Sequence, residues 1–164
     1  MGEQGKRAFR GLLLRVLLLG AAAVIIFTWV IGIKRMEGNS MFPHIKDGDL
    51  CISYKPERCV TGELVLYRQE GRMKVGRIAA MPGDTISFEN GQVQLNGSVI
   101  SETIPYETVP DETAPIKYPL TLKEGEYFIL NDYRLDSEDS RSFGPIEKGA
   151  LKGKLIFLLR RRGF

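Results

Sequence analysis

Ser40 is the residue with the clearest chemical potential. It sits in Gly38-Asn39-Ser40-Met41-Phe42-Pro43, ahead of Lys46-Asp47-Gly48-Asp49. Taken alone, a serine between turn-forming neighbours reads as a turn residue or a cap. A serine hydroxyl becomes nucleophilic when a base takes its proton. The chain has one histidine, His44, four residues further on, so a Ser-His-Asp arrangement would have to place both in one turn. Lysine is the other option, because desolvation disfavours its charged form and a Ser-Lys pair follows the same logic as the triad. Cys51 and Cys59 form no CxxC pair. No zinc site is expected from them, and both read as free thiols. No metal or cofactor is expected.

The elements that must carry Ser40 divide the chain unevenly. Val16 to Ile33 contains no charged residue. As a helix this run would span about 27 Å, close to the roughly 30 Å hydrocarbon core of a bilayer. Leu12, Leu13 and Leu14 extend it, with Arg15 reaching back to the headgroups, and Trp29 lies where an interfacial aromatic is expected. A cleaved leader would show a small-x-small site after a shorter apolar run, whereas this run ends in Trp-Val-Ile-Gly-Ile-Lys-Arg. The expected organisation is a cytoplasmic N-terminus over 1–11, a transmembrane helix over 12–33 and an extracytoplasmic domain over 34–164. Lys6, Arg7, Arg10 and Arg15 precede the run, against Lys34 and Arg35 after it, which puts the N-terminal side in the cytoplasm. With Arg160, Arg161 and Arg162, these charges cluster at the two chain ends, beside anionic lipid. They do not form the basic stripe with interleaved aromatics of a nucleic-acid protein.

Beyond Ile33 short apolar runs alternate with turn signals. Strands are predicted over Leu50–Tyr54, Leu64–Arg68, Met73–Ala80, Thr85–Phe88, Gln92–Leu95, Val99–Ile100, Glu126–Leu130 and Lys154–Leu159. Asn90-Gly91 and Asn96-Gly97 are hairpin signals, because both residue types tolerate positive φ. Residues 103–119, with four prolines, read as an irregular surface loop. The fold class is therefore all-β, with one N-terminal helix.

Several of these segments resemble, in order, the sequence boxes of type I signal peptidases. Gly38-x-Ser40-Met41-x-Pro43 resembles the nucleophile box. Gly62-Glu63-Leu64-Val65-Leu66-Tyr67 resembles the next strand box. Arg77-Ile78-Ala79-Ala80-Met81-Pro82-Gly83-Asp84 resembles the box that normally begins Lys-Arg. Asn131-Asp132-Tyr133-Arg134, Ser137-x-Asp139-Ser140-Arg141 and Phe143-Gly144-Pro145 resemble the last. The resemblance implies a signal-peptidase-type β domain lying against the bilayer, acting on secretory preproteins, with Ser40 as nucleophile and its N–H as an oxyanion donor. It implies Ser137 as the residue that orients the lysine amine, Asp139 and Arg141 as an ion pair near the site, Arg77 as a supporting residue, and Met41 and Pro43 at the substrate. The side chain that supplies a second oxyanion donor in many members falls on Gly38, so that donor is not identifiable.

Two positions depart from the pattern. The catalytic lysine falls on Gly76, and the nearest lysine is Lys74. In a regular strand residues 74 and 76 share a face, so Lys74 is the candidate base, or else a strand lysine facing solvent. His44 stands where the family usually has threonine, and reads as a surface turn residue or a replacement base. Two functions follow. One is an active membrane-bound peptidase of the short, single-span kind found in Gram-positive bacteria. The other, motivated by Gly76, is an inactive accessory protein that binds pilin or peptide in pilus assembly. A self-cleaving repressor of the related Ser-Lys type is a third, weaker idea, since no DNA-binding domain precedes the serine.

Overall fold

A computed structural model of the chain describes residues 2–26, 30–55 and 58–160. Trp29, Arg161 and Arg162 lie outside these. The chain opens with helix α1, Glu3–Ile25. Eleven strands follow among the described residues: β1 (Ile31–Arg35), β2 (Leu50–Tyr54), β3 (Leu64–Gln69), β4 (Arg72–Ala80), β5 (Thr85–Glu89), β6 (Gln92–Leu95), β7 (Ser98–Val99), β8 (Leu120–Thr121), β9 (Glu126–Leu130), β10 (Ile146–Glu147) and β11 (Leu151–Leu159). A one-turn helix, α2 (Ser140–Phe143), sits between β9 and β10. The strands form a seven-stranded sheet in the order β1-β2-β11-β3-β4-β9-β10 and a four-stranded sheet in the order β7-β6-β5-β8.

Alternation explains the core. In β3, Val65 and Tyr67 face one side of the large sheet, with Ile78, Ile129 and Ile146. Leu66 faces the other, with Val75, Cys51, Met36, Met41 and Ile45. Side chains alternate along a strand, so a strand buried on both faces must be apolar at every position. A third cluster, including Ala80, Ile86, Val93, Leu122 and Phe128, joins the end of β4 to the small sheet. The hairpins form where Asn-Gly predicts them: φ is +51° at Asn90, +72° at Gly91, +53° at Asn96 and +78° at Gly97. Residues 103–119 hold no strand or helix, and Cys51 and Cys59 form no disulfide with each other.

The N-terminal segment differs from its expected form. Helix does not run to Ile33, because Ile31–Arg35 pairs antiparallel with β2 instead, Ile33 opposite Ile52. β-branched residues on either side of Gly32 suit a strand better than a helix end. Among the described residues no helix is long and apolar enough to cross a membrane. The uncharged stretch of α1, from Val16 to Ile25, spans only about 15 Å. Its apolar side chains are nonetheless exposed all round: Leu12, Leu13, Leu14, Val16, Leu17, Leu18, Leu19, Val24 and Ile25 are each at least half exposed.

Burial, reinforced by the Asp49 charge, pushes the Cys51 thiol up to about 11. Because the folded thiol keeps its proton longer than the unfolded one, stability is complete below the ordinary thiol range and falls as pH rises towards 11. The urea midpoint of wild type should therefore drop more between pH 8 and pH 10.5 than that of Cys51→Ala. Equal drops would contradict this origin.

Candidate active site

The segment between β1 and β2 is a locked turn. Met36 N–H donates to Asp49 O (2.7 Å) and Gly48 N–H to Met36 O (2.9 Å), closing its base. Asp47 Oδ1 accepts from Gly38 N–H at 2.9 Å, and Asn39 Oδ1 accepts from Asp47 N–H at 3.3 Å. Met41 and Ile45, both 0% exposed, anchor the turn in the core. Met41, expected at the substrate, packs as a core anchor beneath the turn. Neither Met41 nor Pro43 lines the cleft that Ser40 opens into.

That cleft has a volume of about 600 Å³, and Ser40 shares it with Lys74, Val75, Met73, Asn131 and Glu138. Tyr133 N–H donates to Ser40 O at 2.9 Å, tying the turn to the segment after β9. The Ser40 N–H makes no hydrogen bond within the described residues, so it is available to an incoming oxygen. Gly38 N–H is taken by Asp47, which leaves that position nothing to offer as a second oxyanion donor.

Lys74 reaches the cleft from β4, but its amine is not on Ser40. It donates to Glu138 Oε2 at 3.0 Å and to Glu138 O at 3.4 Å, and lies 5.7 Å from the centroid of the Phe143 ring. The pair is only part-screened by protein, since the Glu138 side chain is 80% exposed. The Ser137 hydroxyl makes no hydrogen bond to Lys74; its carbonyl accepts from Ser142 Oγ at 2.8 Å. Gly76 shares the Lys74 face, as β pairing predicts, with Val65 opposite it and Tyr67 opposite Lys74. A Cβ at Gly76 would collide with Ile129 Cγ2 and lie 3.1 Å from Tyr67 Cε1. The room that a side chain would need there is filled by two core residues. Burial, with Asp139 and its acidic neighbours adding to it, pushes the Tyr67 phenol up, so it stays protonated.

Two buried carboxylates hold the surroundings. Asp139 is 0% exposed and Arg141 1%. Asp139 accepts from Asn131 N–H (2.9 Å), Arg141 N–H (2.9 Å), Arg141 Nε (3.0 Å) and Arg141 Nη2 (2.8 Å). Arg141 also donates to the carbonyls of Arg134 (2.8 Å) and Asp136 (2.6 Å). Asp132, fully buried, accepts from Arg77 Nε at 2.7 Å and Nη2 at 2.6 Å. Burial works against the Arg77 charge, but the hydrogen bonds and charge of Asp132 outweigh it and hold the guanidinium above its ordinary value. His44 Nδ1 lies 2.9 Å from Asp132 Oδ2, a close contact without the angle of a hydrogen bond.

Sequence reasoning gave roles to Arg77, Asp139 and Arg141 but none to Asp132, Glu138 or Asp47. The signal for Asp132 was its place beside Asn131 in the last box. Glu138 and Asp47 carry no signal distinguishable from surface acids.

The pattern of the family described as "Signal peptidase, peptidase S26" matches residues 9–159. Signal peptidase I of Bacillus licheniformis is 31% identical over 136 residues, which are 75% of this chain and 73% of that protein. Signal peptidase IB of Staphylococcus aureus is 28% identical over 166 residues, covering 87% of this chain and 86% of that protein. The crystal structure of a signal peptidase I from Enterococcus faecalis superposes with a TM-score of 0.54 at 25% identity, covering 61% of this chain and 98% of that one.

Removing one member of a buried ion pair leaves the other charge uncompensated, at a cost of about 3–5 kcal/mol. Asp139→Ala should lose stability on that scale in urea unfolding. A loss below about 1 kcal/mol would mean that the pair is no more than a surface contact.

Proposed function

The chain belongs to the type I signal peptidase family, and we propose that it is a membrane-bound serine endopeptidase that removes N-terminal signal peptides from secreted preproteins, with Ser40 as nucleophile and Lys74 as base. The observation that carries this reading is the convergence of Ser40, its unengaged N–H and the Lys74 side chain on one cleft. Ser40 Oγ attacks the scissile carbonyl while its proton passes to the neutral Lys74 amine. The developing oxyanion takes the Ser40 N–H. Collapse expels the amine of the mature protein, which receives the proton from Lys74. Water then cleaves the acyl-serine, again through Lys74, releasing the signal peptide and restoring the hydroxyl.

This mechanism requires Lys74 to leave Glu138. An ammonium on a carboxylate has no lone pair to accept a proton, but a pair as exposed as this one is screened and weak. Substrate entering the cleft displaces water and the exposed Glu138 side chain together. The nucleophile needs no such change, since the turn below it is already fixed.

The membrane belongs to the same proposal. Residues 1–11 lie in the cytoplasm, the apolar stretch from Leu12 to the start of β1 is the anchor, and the β domain lies outside. What supports the anchor is a helix whose apolar side chains are exposed on every side, a surface that water does not favour. An anchored enzyme meets substrates held by their own apolar leaders, which raises the effective concentration at the site. Nothing in the comparisons supports the alternative of an inactive pilus accessory protein, and pilin partners rest on Gly76 alone.

A second reading rests on a different observation, the contact of His44 Nδ1 with the buried Asp132. It makes His44 the base in a triad-like arrangement. Cleavage of a preprotein by the full chain in detergent separates the two. Ser40→Ala should abolish turnover. Lys74→Ala should lower kcat by about 100-fold or more, while His44→Ala leaves it within a few fold. The reverse pattern names His44 as base, and no cleavage by folded wild type overturns the peptidase reading.

A further inference from the structure

A second cleft, with no residue in common with the first, lies at the other end of the large sheet. It has a volume of about 450 Å³, and its lining includes Lys55, Arg58, Lys148, Cys59, Tyr127 and Met81, with no acidic residue among the described lining residues. The three cations come from two connections: Lys55 and Arg58 from the one between β2 and β3, and Lys148 from the 3-10 turn Lys148–Ala150 before β11. Neither Arg58 nor Lys148 has an ion-pair partner among the described residues. Cys59 and Tyr127 pack against the core cluster around Val65 and Ile129, as do Met81 and Leu151, so the cleft has an apolar floor beneath a cationic rim. Gly153 brings β11 close to the end of β2: a Cβ there would lie 2.6 Å from Tyr54 O and 2.9 Å from Lys55 Cα. Lys55 is thereby held at the cleft by backbone packing.

Lys55 N–H also donates to Val30 O at 2.8 Å. Val30 immediately precedes β1, where the chain that began as α1 enters the domain. The cationic rim therefore lies next to the entry point of the N-terminal segment, while Ser40 lies beyond the far end of β1. Like charges converging from Arg58 and Lys148 favour an anion in a concave site. A phosphate oxygen satisfies guanidinium and ammonium together through charge-assisted hydrogen bonds. An apolar floor under that rim suits a phosphate that carries a hydrocarbon chain.

We propose that this cleft binds the phosphate of an anionic phospholipid headgroup and seats the β domain on the membrane at its anchored end. The lipid source of that phosphate rests on the anchored reading above; the anion site itself does not. The test uses the full chain in an uncharged detergent, with melting temperature followed as a short-chain phosphatidylglycerol, a short-chain phosphatidylcholine or inorganic phosphate is added. Phosphatidylglycerol should raise the melting temperature of wild type, less so as salt is increased, and phosphatidylcholine should raise it less. In Arg58→Glu/Lys148→Glu the apparent affinity for phosphatidylglycerol should fall at least about tenfold. If that variant does not fold, Arg58→Gln/Lys148→Gln replaces it. A phosphatidylglycerol effect of equal size in wild type and variant overturns the site. An equal response of wild type to inorganic phosphate, lost in the variant, overturns the lipid as its source. Preprotein cleavage without added lipid should be the same in wild type and variant, so a failure of the peptidase reading shows there and leaves the lipid result separately legible.

Discussion

The structure around Ser40 depends on two carboxylates that have been taken out of water. Asp132 and Asp139 are both fully buried, and burying a charge is costly unless it is paired and hydrogen-bonded. Each is met by an arginine in a bidentate contact, Arg77 for Asp132 and Arg141 for Asp139. Because guanidinium and carboxylate match only in a narrow set of geometries, these pairs fix more than their own side chains. Arg77 brings β4 against the segment after β9, and Asp139 accepts from Asn131 N–H at 2.9 Å, folding residues 131–141 back on themselves. Tyr133, one residue beyond Asp132, holds the Ser40 carbonyl at 2.9 Å. Ser40 is therefore positioned through a backbone hydrogen bond from a loop whose shape two ion pairs determine.

Against this rigid frame the amine stands out as the adjustable part. Lys74 is attached to a central strand, yet its amine is held by an exposed carboxylate and an aromatic face. Gly76, two residues on, is closed by Ile129 and Tyr67. No side chain fits at position 76, and the lysine two residues earlier reaches in along the edge of the cleft. In the proposed mechanism the consequence is mechanical: the Ser40 hydroxyl and N–H are held in place by the turn, and the Lys74 amine is the group that moves.

Much of this was legible in the sequence. Hairpins at Asn90-Gly91 and Asn96-Gly97 follow from local backbone preference, and the strands at Leu64 and Met73 from composition and turn signals. The Ser40 box, Arg77 and the Asp139/Arg141 pair were readable because the order of boxes resembles one family. The burial of Met41 was not, because methionine at a turn fits a substrate wall as well as a core, and only the packing of Ile45 and Met36 beside it decides. Strand β1 was hidden inside an apolar run, where helix and strand share a composition and long-range pairing with β2 settles the matter. α2, β8 and β10 are too short to show a period at all. Asp132 and Glu138 look alike as acidic residues in a loop, yet one is fully buried on Arg77 and the other lies largely in water.

The most direct test of the central claim, that the turn presents a competent nucleophile at Ser40, is to bypass the base. An activated aryl ester of a short peptide ending in alanine needs little help with its leaving group, so acylation depends on the serine and its oxyanion contact. Mass spectrometry of the digested chain after reaction should show an acyl adduct on the peptide containing Ser40, present in wild type and absent in Ser40→Ala. Ester hydrolysis no faster than with Ser40→Ala, and no adduct at Ser40, would contradict the account.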